Sequence, residues 1–345
     1  MSAPAAGPRP TRDAGLWRRS LAVLGALLCT FIVAPASPAL DCGKAATAVE
    51  TAICADPDLR AAEDRLDAAY GEVRRLSSDG ERTMLVRAQR HWLAEREANC
   101  PASALGLQGC IGDMTGVKTA ELEGGPGSGP GSGSRIIPYY VFQDGSESAY
   151  AIQAQFFRFA EPRSAGEKAF NAAMAKTSGN YKIGPHGEDT GGRTYEIQTF
   201  SVLNYASDRL ISATVNEWSF TGGAHGNGIS LGINIDLSSG REIEIADILS
   251  EAAFPALMQE CRSQIVAEKM ERFSGEPYDP ATDEFLKDEV IAEHLATMAA
   301  WSLAETEATV GFDPYAIGPY AEGSYACVFP MAELRKLAPP GAPLP

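Results

Sequence analysis

The residues best suited to binding chemistry lie in two short segments of the C-terminal half. His225 follows several glycines in the run at 221–226, and glycines such as Gly223 let a ligand approach the backbone closely. Tyr315 and Tyr320 lie in a proline-containing loop, and tyrosines on stiff loops are common in protein interfaces. We predict that these four residues contact a ligand.

Each segment also has a structural interpretation, which the sequence leaves open. The glycine-rich run is equally typical of a hairpin or bulge whose histidine bonds a neighbouring loop. The tyrosine loop is equally typical of a segment that packs against a sheet. Which interpretation applies depends on the elements that hold the two segments.

The chain shows no motif for covalent or metal-assisted catalysis. It contains no Gly-x-Ser-x-Gly or His-Glu-x-x-His sequence, and its four histidines lack the spacing of zinc ligands. The glycine-rich run does not match a nucleotide-binding fingerprint. We therefore expect no enzymatic activity, no metal and no cofactor. A carboxylate pair suited to sugar hydrolysis is the alternative that the many acidic residues leave open.

The first residues have the pattern of an export signal. Arginines precede a short apolar stretch at 21–33, and small residues precede Leu40, which predicts a signal peptide over 1–39. That stretch is shorter than the ~20 residues of a typical membrane-spanning helix, and no later stretch is longer and apolar. We expect a periplasmic or secreted protein without a membrane span.

Six cysteines remain after the predicted signal, and an even number in an exported chain indicates disulfides. They are Cys42, Cys54, Cys100, Cys110, Cys261 and Cys327. Four frame the N-terminal region and allow three connectivities. For the last two we expect a third bridge, with a pair of buried thiols as the alternative.

The formal net charge of −16 at pH 7 restricts the partners. Nucleic-acid-binding proteins carry basic patches, so the acidic balance argues against nucleic acid. It favours a cationic partner or serves solubility alone.

A run of glycine, proline and serine divides the chain. Residues 124–134 contain no other residue type, which predicts a flexible tether. It separates a small domain, 40–123, from a larger one, 135–345. We expect the two to fold independently.

The small domain reads as helical. Asp56 before Pro57 predicts a helix start, and Ser78 with Glu81 resembles a capping box that opens a second helix. A short connection makes the two helices antiparallel. This brings Cys54 near Cys100 and leaves the other two cysteines to pair further out, although sequence alone does not fix the pairing.

The larger domain reads as α+β. Strand patterns alternate with two long helical patterns and one shorter helix at 165–176. Strands are expected at 149–159, 194–203, 210–220, 229–237, 242–245, 309–312 and 324–329, and long helices at 252–273 and 283–303.

The N-terminal motifs resemble those of LprI-type lysozyme inhibitors. The resemblance covers 41–123 and rests on the cysteine spacing, on the Leu-Asp-Ala-Ala-Tyr segment at 66–70 and on the Gln-Arg-x-Trp segment at 89–92. It implies a lysozyme-binding protein. One departure is the last segment, where the family has a helix with an arginine and this chain has Gly112, Gly116 and Lys118.

A second resemblance covers 140–338. It rests on the glycine-rich run, on the segment at 234–237 and on the tyrosine loop at 312–323. These are similar to the domain shared by RsiV, an anti-sigma receptor for lysozyme, and the non-catalytic part of PdaC-type deacetylases. The resemblance implies a fold and a ligand class without assigned chemistry.

Together these observations predict an exported bacterial envelope protein that binds, and thereby inhibits, a lysozyme-like muramidase. The expected mechanism is occlusion of a cationic enzyme by an acidic surface. The alternative is a module that binds peptidoglycan or another cell-wall polysaccharide, with weak hydrolase activity. Which of the two domains binds the ligand is left open.

Overall fold

The computed structural model describes residues 40–124, 135–145, 150–181, 194–273 and 278–345. The predicted signal peptide and all but Gly124 of the predicted tether lie outside these ranges, so both stay predictions. Across the described ranges, no helix has the length and apolar character needed to cross a membrane.

The N-terminal region is helical, as predicted, and it has four α-helices where the sequence indicated two. They are α1 (Ala48–Ala55), α2 (Pro57–Leu76), α3 (Asp79–Asn99) and α4 (Gly106–Leu122). Both predicted helix starts are confirmed. The Asp56 carboxylate accepts the amides of Asp58 and Leu59, and Ser78 with Glu81 forms a capping box. These side chains satisfy amides that have no partner within the helix.

The disulfides of this region are local and differ from the pairing we expected. Cys42 pairs with Cys54 and Cys100 with Cys110. Cys42 lies in a short 3₁₀ turn that folds back on the end of α1, and Cys100 directly follows α3. Each bridge therefore closes a turn before a helix, rather than joining Cys54 to Cys100 across the helix pair.

A six-stranded sheet forms the centre of the C-terminal region. Its strands are β1 (Ile136–Gln143), β2 (Tyr150–Phe159), β3 (Tyr195–Ala206), β4 (Leu210–Phe220), β5 (Asn227–Asp236) and β6 (Arg241–Glu242), which lie in that order. Only β2 and β3 are parallel, and α5 (Ala165–Ser178) connects them. The sequence did not predict β1, which contains Pro138. An edge strand tolerates proline because one side of its backbone has no partner.

The two faces of this sheet have different neighbours. Side chains alternate along each strand, and one set packs with Phe170 and Met174 of α5 in an apolar core. The opposite set on β4 and β5 includes Ser212 and Asn234, which bond to the backbone of a second sheet. The second sheet therefore lies on the face that α5 leaves free.

The second sheet has three antiparallel strands and a helical cover. They are β7 (Trp301–Leu303), β8 (Glu307–Phe312) and β9 (Tyr325–Pro330), with α6 (Ile245–Ile248), α7 (Phe254–Arg272), α8 (Asp288–Ala296) and α9 (Met331–Leu337). The expected bridge between Cys261 of α7 and Cys327 of β9 is present. The predicted α+β class is confirmed.

The long helix expected over 283–303 is wrong at both ends. Helix α8 spans only Asp288–Ala296, and Trp301–Leu303 is a strand. Trp301 and Leu303 are fully buried and pair with β8, while the Trp301 indole donates to the Leu295 carbonyl. The apolar residues of this segment also fit a helix, but burial against β8 makes it a strand.

The helical region and the six-stranded sheet share one hydrophobic cluster. Leu66, Leu85 and Leu122 of the helices pack with Ile137 and Tyr140 of β1. The described residues, from Leu40 onward, belong to one compact unit. This packing does not support the independent folding of the two halves that we expected from the tether, although the domain boundaries themselves stay predictions.

An ion pair reinforces this interface. The Arg158 guanidinium on β2 donates twice to the Glu81 carboxylate, at 2.7 and 2.9 Å, and once to the Leu76 carbonyl. Partial burial opposes ionisation of Glu81, but the bonds from Arg158 and from the Ser78 amide lower its pKa overall. The helix cap and the interface thus use the same carboxylate.

Removing Ile137 from the shared cluster is expected to destabilise both regions together. Ile137→Ala deletes a fully buried side chain and should lower the free energy of unfolding by about 2–5 kcal/mol. Urea titrations followed by hydrogen exchange should show equal losses of protection in α2 and β2. Val117→Ala, at a 65% exposed position, is the control. Loss of protection in β2 alone would show that the regions unfold separately.

Candidate functional site

The glycine-rich run connects β4 to β5. Gly222 and Gly223 have φ values of +90° and +104°, which glycine adopts without the strain that a Cβ would cause. A Cβ at Gly223 would have no neighbour within 4 Å. Gly223 is therefore required by the turn, and its predicted role as a ligand contact stays a prediction.

Three of the predicted site residues meet in one aromatic cluster, formed by His225, Tyr315 and Tyr320. The His225 ring stacks on Tyr320 with 3.6 Å between ring centroids and 14° between ring planes. The Tyr315 hydroxyl lies 3.1 Å from His225 Nε2. The Tyr315 and Tyr320 rings are 5.7 Å apart. Residues 90 positions apart in the sequence thus form one surface.

One tautomer of His225 satisfies both of its ring nitrogens. Nδ1 lies 2.8 Å from the Gly226 carbonyl oxygen, which can only accept a hydrogen bond. Nδ1 therefore carries the proton, and Nε2 accepts from the Tyr315 hydroxyl. The His225 ring thus joins the two loops, as the structural interpretation of the sequence allowed.

Tyr315 has a strained backbone. Its φ is +74°, and it is the one non-glycine residue with positive φ within the described ranges. A bulky side chain in this region is uncommon and marks a local constraint. The ring nevertheless stays 53% exposed. The predicted role of Tyr315 as a ligand contact stays a prediction.

Residues of β4 and α7 hold the aromatic cluster in position. Gly226 packs against the Trp218 indole of β4, which leaves no room for a Cβ. Tyr320 begins a 3₁₀ turn that ends at Glu322, and the fully buried ammonium of Lys269 lies 3.0 Å from the Glu322 carboxylate. Lys269 also pairs with Asp283 at 2.8 Å. Because unpaired buried charges are costly, these contacts hold the turn in place.

The histidines and cysteines have no metal-ligating arrangement among the described residues. No group of three or more His, Cys, Asp or Glu side chains is placed to hold a metal ion there. His186 lies outside the described ranges. All six cysteines left after the predicted signal are disulfide-bonded, so none offers a free thiol.

A second polar centre lies in the helical region, where Arg96 joins three helices. Its guanidinium donates to both oxygens of Glu63 on α2, at 2.8 and 3.0 Å, and to Thr115 on α4 at 2.9 Å. It also lies 4.7 Å from the centre of the Trp92 ring. No local spacing in the sequence connects α3 to α2 or α4, so the partners of Arg96 are found only in the structure.

Acidic residues on α2 surround this centre. Asp64 and Asp67 follow Glu63 within one turn. Partial burial raises the pKa of Asp67 to about 6, and repulsion from Glu63 and Asp64 adds to this effect. The attraction of Arg96 opposes it. Within the described residues, neither Asp64 nor Asp67 has an ion-pair partner. We call Glu63, Asp64 and Asp67 the α2 acidic group.

Lys118, where the chain departs from the resembled family, lies on α4 and is buried. Its ammonium lies 2.8 Å from the Glu121 carboxylate and 3.2 Å from the Tyr140 hydroxyl of β1. Tyr140 also donates to Glu121, and burial raises the pKa of the Tyr140 hydroxyl well above its usual value. Lys118 therefore serves the contact between helices and sheet rather than an exposed binding surface.

Comparison with known proteins gives a family match that covers the helical region and not the whole chain. Residues 42–122 match the family described as lysozyme inhibitor LprI. An uncharacterized protein of Rhizobium meliloti strain 1021 is 28% identical over 130 residues, which cover 31% of this chain and 94% of that protein.

Two solved structures resemble the fold more distantly. One is a member of the DUF3298 family from Bacteroides fragilis, with a TM-score of 0.42 and 16% identity over 60% of this chain and 94% of that chain. The other is a DUF3298 family protein from Pseudomonas aeruginosa, with a TM-score of 0.42 and 15% identity over 62% and 99%. The resemblance of 140–338 to RsiV and PdaC stays a prediction.

The strain at Tyr315 is open to a direct test. Tyr315→Gly and Tyr315→Ala both delete the ring, but only alanine keeps a Cβ at φ +74°. We expect the glycine variant to be more stable by about 1 kcal/mol, measured as the difference in free energy of unfolding in urea. Equal stability, or a more stable alanine variant, would mean that the loop relaxes and that no strain is held there.

Proposed function

We propose that this chain is an extracytoplasmic protein that binds a basic, lysozyme-like muramidase and inhibits it. The match of residues 42–122 to the lysozyme inhibitor LprI family carries the proposal. The proposed action is binding that blocks the enzyme, without any chemistry performed by this chain.

The disulfides support an extracytoplasmic location. Three bridges use all six cysteines left after the predicted signal, and such bridges persist in oxidising compartments. Two of them stabilise a helical region too small for an extensive core of its own. A muramidase that attacks the cell wall acts in the same compartment, so the proposed partner and this protein meet there.

The charge of the chain supports a cationic partner. A net charge of −16 attracts a basic enzyme over several ångströms and speeds the encounter. Within the family-matching region, the α2 acidic group concentrates like charges, and neither Asp64 nor Asp67 has an ion-pair partner among the described residues. Like charges in adjacent turns destabilise a helix, and a lysine or arginine of the partner would relieve that repulsion.

The aromatic cluster is proposed as a second contact. Tyr315 is exposed and strained, and tyrosine supplies a large contact area with few rotatable bonds. We assign the main binding energy to the helical region because the family match lies there, and we assign an added contact to Tyr315.

Neutralising the α2 acidic group should weaken inhibition. For the double variant Asp64→Asn/Asp67→Asn, we expect about threefold to tenfold weaker binding at low salt, because close charge pairs across an interface contribute this much. Calorimetry with a basic c-type lysozyme and the rate of cell-wall lysis are the two measurements. High salt should reduce the difference, since screening shortens the range of the attraction.

Two matched variants complete this experiment. The control is Glu305→Gln, which removes one charge at the exposed turn between β7 and β8. Its affinity for lysozyme should stay within about twofold of the wild-type affinity. Tyr315→Ala should weaken binding if the aromatic cluster is the second contact. The absence of heat and of inhibition with wild-type protein at micromolar concentration would reject the proposal for that lysozyme.

Asp67 predicts opposite pH dependences for binding and for stability. Because its pKa in the folded protein is about 6, Asp67 is mostly protonated at pH 5 and ionised at pH 7. Affinity for a cationic partner should therefore rise about threefold to tenfold from pH 5 to pH 7, and Asp67→Asn should remove most of that rise.

The stability of the free protein should change with pH in the opposite direction to its affinity. A carboxyl whose folded pKa is raised above its unfolded value contributes stability below the unfolded pKa and loses it as pH rises through about 6. Asp67→Asn should therefore stabilise the free protein at pH 7 by about 1 kcal/mol, a value reduced for solvent screening, and should change it little at pH 4. A variant that loses stability at pH 7 would contradict the raised pKa.

A further inference from the structure

A cavity lies at the seam between the two sheets, away from the α2 acidic group. Its volume is about 370 Å³, and it is lined by β4 and β5 on one side and by α8, β7 and β8 on the other. We call it the seam cavity. None of its lining residues belongs to the helical region that matches the inhibitor family.

Backbone contacts fix the walls of the seam cavity. A Cβ at Gly232 would overlap the Trp301 carbonyl oxygen, so β5 and β7 approach each other as closely as the backbones allow. Asn234 donates to the carbonyls of Met298 and Trp301, at 3.1 and 3.0 Å. The cavity beside this contact is therefore held open by fixed backbone.

The lining combines carboxylates, hydroxyls and an imidazole. Glu293 and Asp313 supply the carboxylates, and Thr214 and Ser230 supply hydroxyls. The Asp313 carboxylate accepts the Ser230 amide at 3.1 Å. The Glu293 carboxylate has no ion-pair or hydrogen-bond partner among the described residues. These groups together offer many acceptors for the hydroxyl protons of a ligand.

His294 adds an acceptor in a fixed orientation. Its Nδ1 lies 2.9 Å from the Val290 carbonyl, to which it must donate, and its ring stacks on Phe312 at 4.6 Å. In a neutral ring this tautomer leaves Nε2 as an acceptor, and no described residue is bonded to Nε2.

An exposed strip of the large sheet continues from the mouth of the cavity. Ser230 pairs with Asn216, and Asn216 pairs with Phe200, so the three lie side by side on one face. Trp218 is two residues further along β4, about 7 Å away on the same face. Phe200 is 59% and Trp218 37% exposed. A polar cavity thus opens next to flat apolar rings.

We propose that the seam cavity and this strip bind an oligosaccharide of uncharged sugars. One sugar occupies the cavity, where the carboxylates and His294 accept its hydroxyl protons. The next sugars lie along the strip, where their C–H faces pack on Trp218 and Phe200. The Asn216 side chain, whose oxygen accepts from Ser230 at 3.1 Å, keeps its amide hydrogens for a sugar oxygen.

The lining fits a polyol better than the other ligands that an acidic cavity suggests. A metal ion is disfavoured because no group of three ligating side chains exists among the described residues. A phosphate or carboxylate ligand would be repelled by Glu293 and Asp313. A small organic amine would use the carboxylates but neither the hydroxyls nor the aromatic strip, and the experiment includes one for this reason.

The test is calorimetric titration of the complete protein with three probes: chitotetraose, cellotetraose and methylammonium. Binding of either tetrasaccharide is expected, and Asp313→Asn or Glu293→Gln should weaken it about tenfold, the usual effect of losing a charge-assisted hydrogen bond. Asp313→Asn keeps an oxygen to accept the Ser230 amide, so the loop should stay folded. Glu289→Gln, at an exposed position one turn earlier on α8 that does not line the cavity, should not change the affinity.

A second pair of variants tests the strip. Phe200→Ala should weaken tetrasaccharide binding about fivefold to tenfold, as loss of one stacked ring does in other ring-stacking sites. Ile229→Ala, at a 49% exposed position on the opposite face of the same sheet, should leave it unchanged. Binding of methylammonium alone, no binding of either tetrasaccharide, or equal effects of the lining variants and Glu289→Gln would each overturn the proposal.

Discussion

The contact between Gly232 and the Trp301 carbonyl is the constraint on which the C-terminal region depends. Only a residue without a Cβ lets β5 approach β7 this closely. The contact docks the small sheet on the free face of the large one. As a result the loop after β8, with Asp313 and Tyr315, lies beside the turn that carries His225. Both the aromatic cluster and the seam cavity follow from this docking.

The helical region is held by a different kind of contact. Its apolar cluster is completed by Ile137 and Tyr140 of β1, and its charged residues Glu81 and Lys118 bond to side chains of the sheet. Buried charges are tolerated because each has a partner. The helical region is therefore held rigidly against the sheet, and a rigid surface loses less entropy when a partner binds. This favours binding by preformed surfaces over binding by a tethered domain.

Two surfaces of different chemistry result, and they fit different ligands. In the α2 acidic group, Glu63 is paired with Arg96, whereas Asp64 and Asp67 have no ion-pair partner among the described residues. Burial, and then repulsion from Glu63 and Asp64, raises the pKa of Asp67. We propose that this group suits a cationic protein. The seam cavity has carboxylates, hydroxyls and an imidazole in its lining and lies beside exposed rings, and we propose that this suits a polyol. The two proposed sites share no residue, so variants of one leave the other intact.

The sequence by itself determined what local physics controls. The helix caps at Asp56 and Ser78 follow from side-chain chemistry within a few residues. The α+β class follows from the hydrophobic pattern along the chain, and the oxidised cysteines follow from their even number after the predicted export signal. Tertiary structure decided what depends on distant neighbours. Burial made Trp301–Leu303 a strand, a shared core joined regions that the tether separates, and local chain reversals set the disulfide pairing. The sequence named His225, Tyr315 and Tyr320, but only the docking of two sheets brought them together, because no short-range pattern encodes a contact across 90 residues.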